Sequence, residues 1–288
     1  MGVVIGVVSG KGGVGKTVLT LNLAAALQEM GYSTIVLEGN VTSPTSSIYL
    51  GYLPVERTLN RVLRGEISLD DCVLQHPSGI RLVTTSLNVS ELGDDFSRLA
   101  EVVEALKPRC DILFVDGAAG LGPEAIRAME WSDNVLIVTN PEIPSVIEAL
   151  RAVRIVRGLN KKLVGVALNR YNPDKHQMTE QEVELILELP VVVRLPEDDL
   201  FSEATAAGVP LVKYRPGAPT SVQLYQFAAK MVGSEWQPPK KSVRDTIDQW
   251  VRKLGLDKIK LPIPAIKMPA VKLPNANKPA QANAPPKK

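Results

Sequence analysis

The sequence predicts an α/β fold with a mostly parallel central sheet covered by helices on both faces. Three observations predict it. Short β-branched runs alternate with helical patterns over about four-fifths of the chain. The runs are almost continuously apolar, which suits strands buried on both faces. A glycine-rich octapeptide separates the first run from the first helical pattern. At 288 residues and 45% hydrophobic, the chain can bury a large core in one main domain, here residues 1–233.

The strand candidates are 3–8, 34–37, 80–84, 112–115, 135–139, 163–168 and 191–193, each a short apolar run. Helical patterns cover 18–30, 95–106, 123–129, 143–159 and 180–187. Ligands of parallel sheets sit at the carboxyl ends of the strands. The chemistry-bearing residues fall there.

After the first strand comes Gly10-Lys11-Gly12-Gly13-Val14-Gly15-Lys16-Thr17, with Val18 opening the helix. Gly10, Gly15, Lys16 and Thr17 fit the phosphate-loop pattern G-x-x-x-x-G-K-[ST]. Glycines let successive N–H groups point at phosphate oxygens, and the helix adds its positive end. Lys16 suits the β- and γ-phosphates, and the Thr17 hydroxyl suits Mg²⁺. The strand 112–115 ends in Asp116-Gly117-Ala118-Ala119-Gly120, a Walker B arrangement in which Asp116 can hold Mg²⁺ through water. The chain therefore binds a nucleotide with Mg²⁺.

Lys11 is a second lysine that an ordinary phosphate loop does not need. With it, the octapeptide resembles the deviant loop of the MinD/ParA superfamily of ATPases, and the Asn40-x-x-x-Pro44 variant beyond the second strand resembles archaeal MinD-like proteins in particular. That resemblance implies a P-loop ATPase fold, ATP/ADP as ligand, and an ATP-bound homodimer in which Lys11 reaches the partner's nucleotide. It places Glu38 and Asn40 where MinD-like proteins usually carry Asp-x-Asp. Glu38 then serves the metal's water shell and Asn40 orients the attacking water. An asparagine amide cannot take a proton, so hydrolysis is expected to be slow. The resemblance also covers Thr139-Asn140-Pro141-Glu142, and Asn169-Arg170, whose asparagine would read adenine. It extends to the base-side loop Leu195-Pro196-Glu197-Asp198 and to Ala204-x-x-x-Gly208-x-Pro210. It implies a spatial regulator, such as one for the division site, that cycles on and off a membrane or partner. A nearly non-hydrolysing ATP-dependent scaffold and a ParA-like DNA-partitioning ATPase are the alternative functions.

Composition bears on these alternatives. Residues 237–288 carry 12 Lys/Arg and 3 Asp, against 21 Lys/Arg and 28 Asp/Glu before them. The body is acidic and poorly suited to DNA; the tail is basic. Cys72 and Cys110 lack metal or redox spacing, which argues against the metal-cluster branches of the superfamily and for reduced thiols in the cytoplasm. No apolar run approaches a membrane span, and the N-terminus enters a strand directly, so no secretory signal is expected. His76 and His176 have no partner at triad or metal spacing and are expected at the surface.

Residues 234–241 read as a linker with tandem proline. Over 242–256, Val243, Ile247, Trp250, Val251 and Leu254 recur at helical spacing behind the N-cap candidate Ser242. This amphipathic helix could lie on the inner face of the membrane, on the domain or dimer, or on a protein partner. Residues 257–288 are rich in Lys and Pro and expected to lack regular structure.

Overall fold

The computed structural model describes residues 2–53, 55–88, 91, 97–172 and 176–237. The chain opens with β1 (Val3–Ser9), α1 (Lys16–Glu29), β2 (Thr34–Glu38) and three short helices, α2 (Ser46–Tyr49), α3 (Leu59–Leu63) and α4 (Leu69–Cys72). Then come β3 (Leu74–Gln75), β4 (Arg81–Val83), α5 (Leu99–Leu106), β5 (Ile112–Ala119) and α6 (Pro123–Trp131). The last part alternates β6 (Asn134–Thr139), α7 (Ile143–Gly158), β7 (Lys162–Tyr171), α8 (Glu180–Leu187) and β8 (Val191–Pro196). It closes with α9 (Leu200–Ala206), α10 (Leu211–Tyr214) and α11 (Pro219–Met231).

The eight strands form one sheet in the order β3-β4-β2-β5-β1-β6-β7-β8. Every neighbouring pair is parallel except β3 with β4. Alternate residues of β1 explain its unbroken apolar run. Ile5 and Val7 enter the core under α1 and α11, while Val4 and Val8 enter cores on the other face. A strand that is buried on both sides shows no polar alternation. The buried stretch Leu19 to Leu27 makes α1 the central helix of its face.

The chain leaves β1 toward β2 on one side, returns through β5, and leaves toward β6 on the other. The direction of winding thus switches around β1, and the carboxyl ends of β1, β2 and β5 meet there. Across this junction Glu38 pairs in register with Asp116, and Asp116 with Val7.

Some expectations need revision. The described part of the helix expected over 95–106 begins at Leu99, and residues 92–96 lie outside the described set. The antiparallel edge strand β3 was not expected; two residues are too few to show a period. Packed chain also continues into the expected linker, because Trp236 stacks on Tyr225 at 4.5 Å between ring centres. His76 is buried, not on the surface. The amphipathic helix over 242–256 and the Lys/Pro tail lie outside the described residues. Among the described residues, no helix is long and apolar enough to cross a membrane.

Candidate nucleotide site

The glycines of the loop are demanded by the space around it. Gly13 and Gly15 have φ of 75° and 99°, the left-handed region. A Cβ on Gly15 would also come within 2.3 Å of the Asn169 amide nitrogen. Gly10 lies so close to α7 that a Cβ would meet the Glu148 carbonyl oxygen at 2.2 Å. The loop then delivers the chain into α1 with Gly15 at the N-cap, no side-chain cap and no acidic residue in the first turn. Its first N–H groups and positive end are therefore left for an external anion.

Beneath the loop, polar groups converge on Asp116. Its Oδ2 accepts from Thr17 Oγ1 at 2.6 Å and Ser46 Oγ at 3.5 Å, and its Oδ1 from Thr20 Oγ1 at 3.4 Å. Thr17 Oγ1 also lies 3.1 Å from Thr45 Oγ1. Burial raises the Asp116 pKa, against the lowering effect of the Thr17 hydrogen bond and the Lys16 charge. Lys16 is 8% exposed; burial lowers its pKa, while Asp116 and Glu38 act to raise it. A buried ammonium above two buried carboxylates is a site built for an anion and a hard cation together.

The donor set suits Mg²⁺. This ion takes one or two carboxylates and completes its shell with water and phosphate oxygens. Thr17 and Asp116 are the residues that would hold it. Glu38 is expected in the same shell. Its Oε2 accepts from the backbone N–H groups of Thr45 and Ser46, both at 3.0 Å, and its Oε1 from Asn40 N at 3.3 Å. In the structure Glu38 anchors the loop after β2 through these backbone bonds, in contact range of the Asp116 side of the site.

Burial and the neighbouring Asp116 raise the Glu38 pKa to about 8, with the Ser46 and Thr45 bonds opposing. The folded protein thus holds a proton that the unfolded chain releases near 4.5. This contribution to stability is complete below about pH 4.5 and is lost as the pH rises toward 8. Glu38→Gln should flatten that decline and be more stable than wild type at pH 8 without nucleotide. Thermal melts of both proteins from pH 5 to 8.5 check it. Parallel curves would show that Glu38 is already ionised.

Above these groups lies a cleft of about 500 Å³, within the range of small-ligand sites. Its walls include Gly13, Gly15, Lys16, Thr17 and Val18 from the loop and α1, Asn40, Thr45 and Tyr49 after β2, and Asn169, Arg170, Pro196, Glu197 and Asp198 after β7 and β8. With Gly117 and Ala119 of β5 closing the cleft as a fifth stretch, the structure brings most expected site residues into one cavity from four separate stretches.

Their individual settings differ from a simple inventory of ligands. Asn169 Nδ2 donates to the Val14 carbonyl at 2.7 Å, so one amide hydrogen ties the base-side strand to the phosphate loop. Arg170 has φ of 56° where β7 and β8 fall out of register, a strained backbone at the cleft wall. Asp198 accepts from Leu200 N at 3.0 Å and Thr220 Oγ1 at 2.6 Å, joining α9 to α11. Asn40 lines the cleft, yet its Nδ2 donates to the Ser43 carbonyl at 2.6 Å. Gly12 has only Ala119 near its missing Cβ, and Val14 is buried below the loop.

Lys11 stands apart. It does not line the cleft; its Nζ lies 3.3 Å from Glu142 Oε2, both side chains about half exposed. Thr45, Ser46, Tyr49 and Thr20 were not singled out from the sequence. The hydroxyl run Thr42-Ser43-Pro44-Thr45-Ser46-Ser47 was the one available signal, and it is also an ordinary loop composition.

The family model for the CobQ/CobB/MinD/ParA nucleotide binding domain matches residues 5–211. An uncharacterized ATP-binding protein of Methanocaldococcus jannaschii is 30% identical over 256 residues, covering 88% of this chain and 97% of its own. Among solved structures, the septum site-determining protein MinD of Pyrococcus horikoshii, complexed with Mg-ADP, is 30% identical. It superposes with a TM-score of 0.77 and covers 81% of this chain and 97% of its own. The MinC:MinD cell division complex of Aquifex aeolicus gives a chain 25% identical, TM-score 0.72, covering 83% of this chain and 98% of its own.

Proposed function

We propose, from the premise that this chain belongs to the CobQ/CobB/MinD/ParA nucleotide-binding family, that it is a slow ATPase acting as an ATP-dependent dimerisation switch. One observation carries the switch reading. Lys11 sits inside the phosphate loop but turns away from its own cleft toward Glu142 at the surface. A lysine so placed can serve a nucleotide held by a second copy.

In this reading Lys16 and the loop N–H groups hold the phosphates, and Thr17 and Asp116 hold Mg²⁺. Bound Mg²⁺ would neutralise charge on the β- and γ-phosphates. Asn169, Arg170, Pro196, Glu197 and Asp198 form the base end. Asn40 positions the attacking water without accepting its proton. The solved MinD structure with Mg-ADP and the MinC:MinD complex support a nucleotide-controlled partner-binding role in cell positioning. The protein is proposed to work in the cytoplasm. The basic C-terminal region, an expected amphipathic helix followed by Lys/Pro repeats, is proposed to attach the dimer to an anionic membrane surface or a protein partner.

Light scattering with a non-hydrolysable ATP analogue and with ADP tests the switch. A dimer with the analogue and a monomer with ADP are expected; the same mass in both would end the reading. Co-sedimentation with anionic liposomes, for the full chain and for residues 1–237, tests the attachment. Nucleotide-dependent pelleting lost with the tail is expected, and absence of pelleting by the full chain would direct the tail to a protein.

A second reading, a nearly non-hydrolysing ATP-dependent scaffold, is favoured by the Asn40 amide's bond to Ser43. Asn40→Asp supplies a general base and should raise turnover roughly tenfold to hundredfold. Steady-state phosphate release measures it. Unchanged turnover would place Asn40 away from the water and favour the scaffold.

A further inference from the structure

His76 follows the edge strand β3 and is 7% exposed. Its Nδ1 accepts from the Ser78 backbone N–H at 3.1 Å and lies 2.7 Å from Ser78 Oγ. A backbone N–H can only donate, so Nδ1 carries no proton. The other nitrogen, Nε2, must then be the donor to the Leu50 carbonyl at 3.0 Å. The surroundings therefore select one neutral tautomer.

Leu50 is the residue that ends α2. The opposite end of α2 is the place where Thr45 and Ser46 donate to Glu38. A four-residue helix has almost no stability of its own, so its position depends on what grips its ends. Within this short span, Thr45 Oγ1 meets Thr17 Oγ1 and Tyr49 forms part of the cleft wall. The Leu50 carbonyl is also packed against Gly208, where an added Cβ would stand 2.9 Å from it. The ring of Tyr52 meets the imidazole edge-on at 5.9 Å.

We propose that His76 is a positioning residue for nucleotide binding: its imidazole, donating from Nε2 to the Leu50 carbonyl, holds the carboxyl end of α2. This rests on the reading of the cleft as the Mg-nucleotide site. A proton on Nδ1 would displace the Ser78 N–H but could be donated to Ser78 Oγ at 2.7 Å, while Nε2 keeps its bond to Leu50. Among the described residues, the side chains in hydrogen-bond or ring contact with His76 are Ser78 and Tyr52, of which Tyr52 is titratable. Burial lowers the His76 pKa, against the raising effect of the Leu50 bond. The Leu50 bond favours the protonated ring, so the grip on α2 holds in both protonation states.

The test compares wild type, His76→Gln and His76→Phe. Glutamine keeps a donor for the Leu50 carbonyl but cannot gain a proton; phenylalanine keeps the ring and loses both hydrogen bonds. MgADP affinity is measured by calorimetry at pH 8.0, and amide-exchange protection factors of residues 45–52 are measured without nucleotide. At pH 8.0, His76→Phe should bind about tenfold more weakly, with His76→Gln restoring most of the loss. Protection of residues 45–52 should fall in His76→Phe and return close to the wild-type level in His76→Gln. Equal MgADP affinity of His76→Phe and wild type would overturn the proposal, as would equal protection of residues 45–52 in the two.

If wild type binds no MgADP, the nucleotide reading fails, while the exchange measurement still reports whether His76 holds α2. Nitrogen-15 spectra of the imidazole at pH 8.0 guard against variants that do not fold. The chain has two histidines, so His176→Gln assigns the His76 signal. A protonated Nδ1 there would overturn the proposal directly.

Discussion

Replacing Lys16 by methionine should remove MgADP and MgATP binding while leaving the fold intact. Lys16 is the cation at the mouth of the phosphate loop, held 8% exposed over Asp116 and Glu38. Each charge-assisted hydrogen bond to a phosphate contributes about 1.5–3 kcal/mol. Loss of one or two weakens binding by roughly 10- to 10⁴-fold. The fold should survive because the ammonium is itself disfavoured by burial, as its lowered pKa records. Methionine fills the same channel without that cost, and burial already raises the pKa of both carboxylates below. Calorimetric titration measures the loss, and circular dichroism checks the fold. A variant that is folded and binds MgADP within twofold of wild type would show that the cleft's anion site lies elsewhere.

Lys11→Ala should give the opposite separation, with nucleotide binding kept and the ATP dimer lost. The side chain does not line its own cleft, so MgADP affinity should change by less than about twofold. Its pair with Glu142 is half exposed, and such pairs contribute about 0–1 kcal/mol, so stability should hardly move. A twofold dimer would contain two copies of the trans contact. Removing both should weaken dimerisation by about 3–6 kcal/mol, roughly 10² to 10⁴ in the dissociation constant. Light scattering with a non-hydrolysable ATP analogue is the measurement. An undiminished dimer would show that Lys11 has no role across the interface. Loss of MgADP binding as well would show that it serves its own nucleotide.

The two lysines illustrate what was legible in the residues. Lys16 could be assigned because local geometry decides its place: a strand, a glycine loop and a helix set it within eight residues. Lys11 could be singled out as surplus, but its direction depends on Glu142, 131 positions away. Asp116 was legible as a carboxylate ending an apolar strand. Glu38 was legible only by its position. Its anchoring of the Thr45 and Ser46 backbone was not legible, because those N–H donors reach it only through the folding of the loop after β2. His76 was misread for a related reason. Its flanking residues are polar, and its burial comes from Leu50 and Tyr52, which reach it through the fold.

By itself, then, the sequence determined the parallel α/β architecture, the phosphate loop and the carboxylate strand that answers it. These rest on hydrophobic period, glycine spacing and strand-end chemistry, all interactions between residues close along the chain. Only the tertiary structure decided which face each polar group uses. It closed the cleft from five distant stretches, turned Lys11 outward, set Asn169 against Val14, and gripped α2 between Glu38 and His76. Such pairings depend on the sheet order, which brings strands remote in sequence side by side and leaves buried polar groups to find partners there.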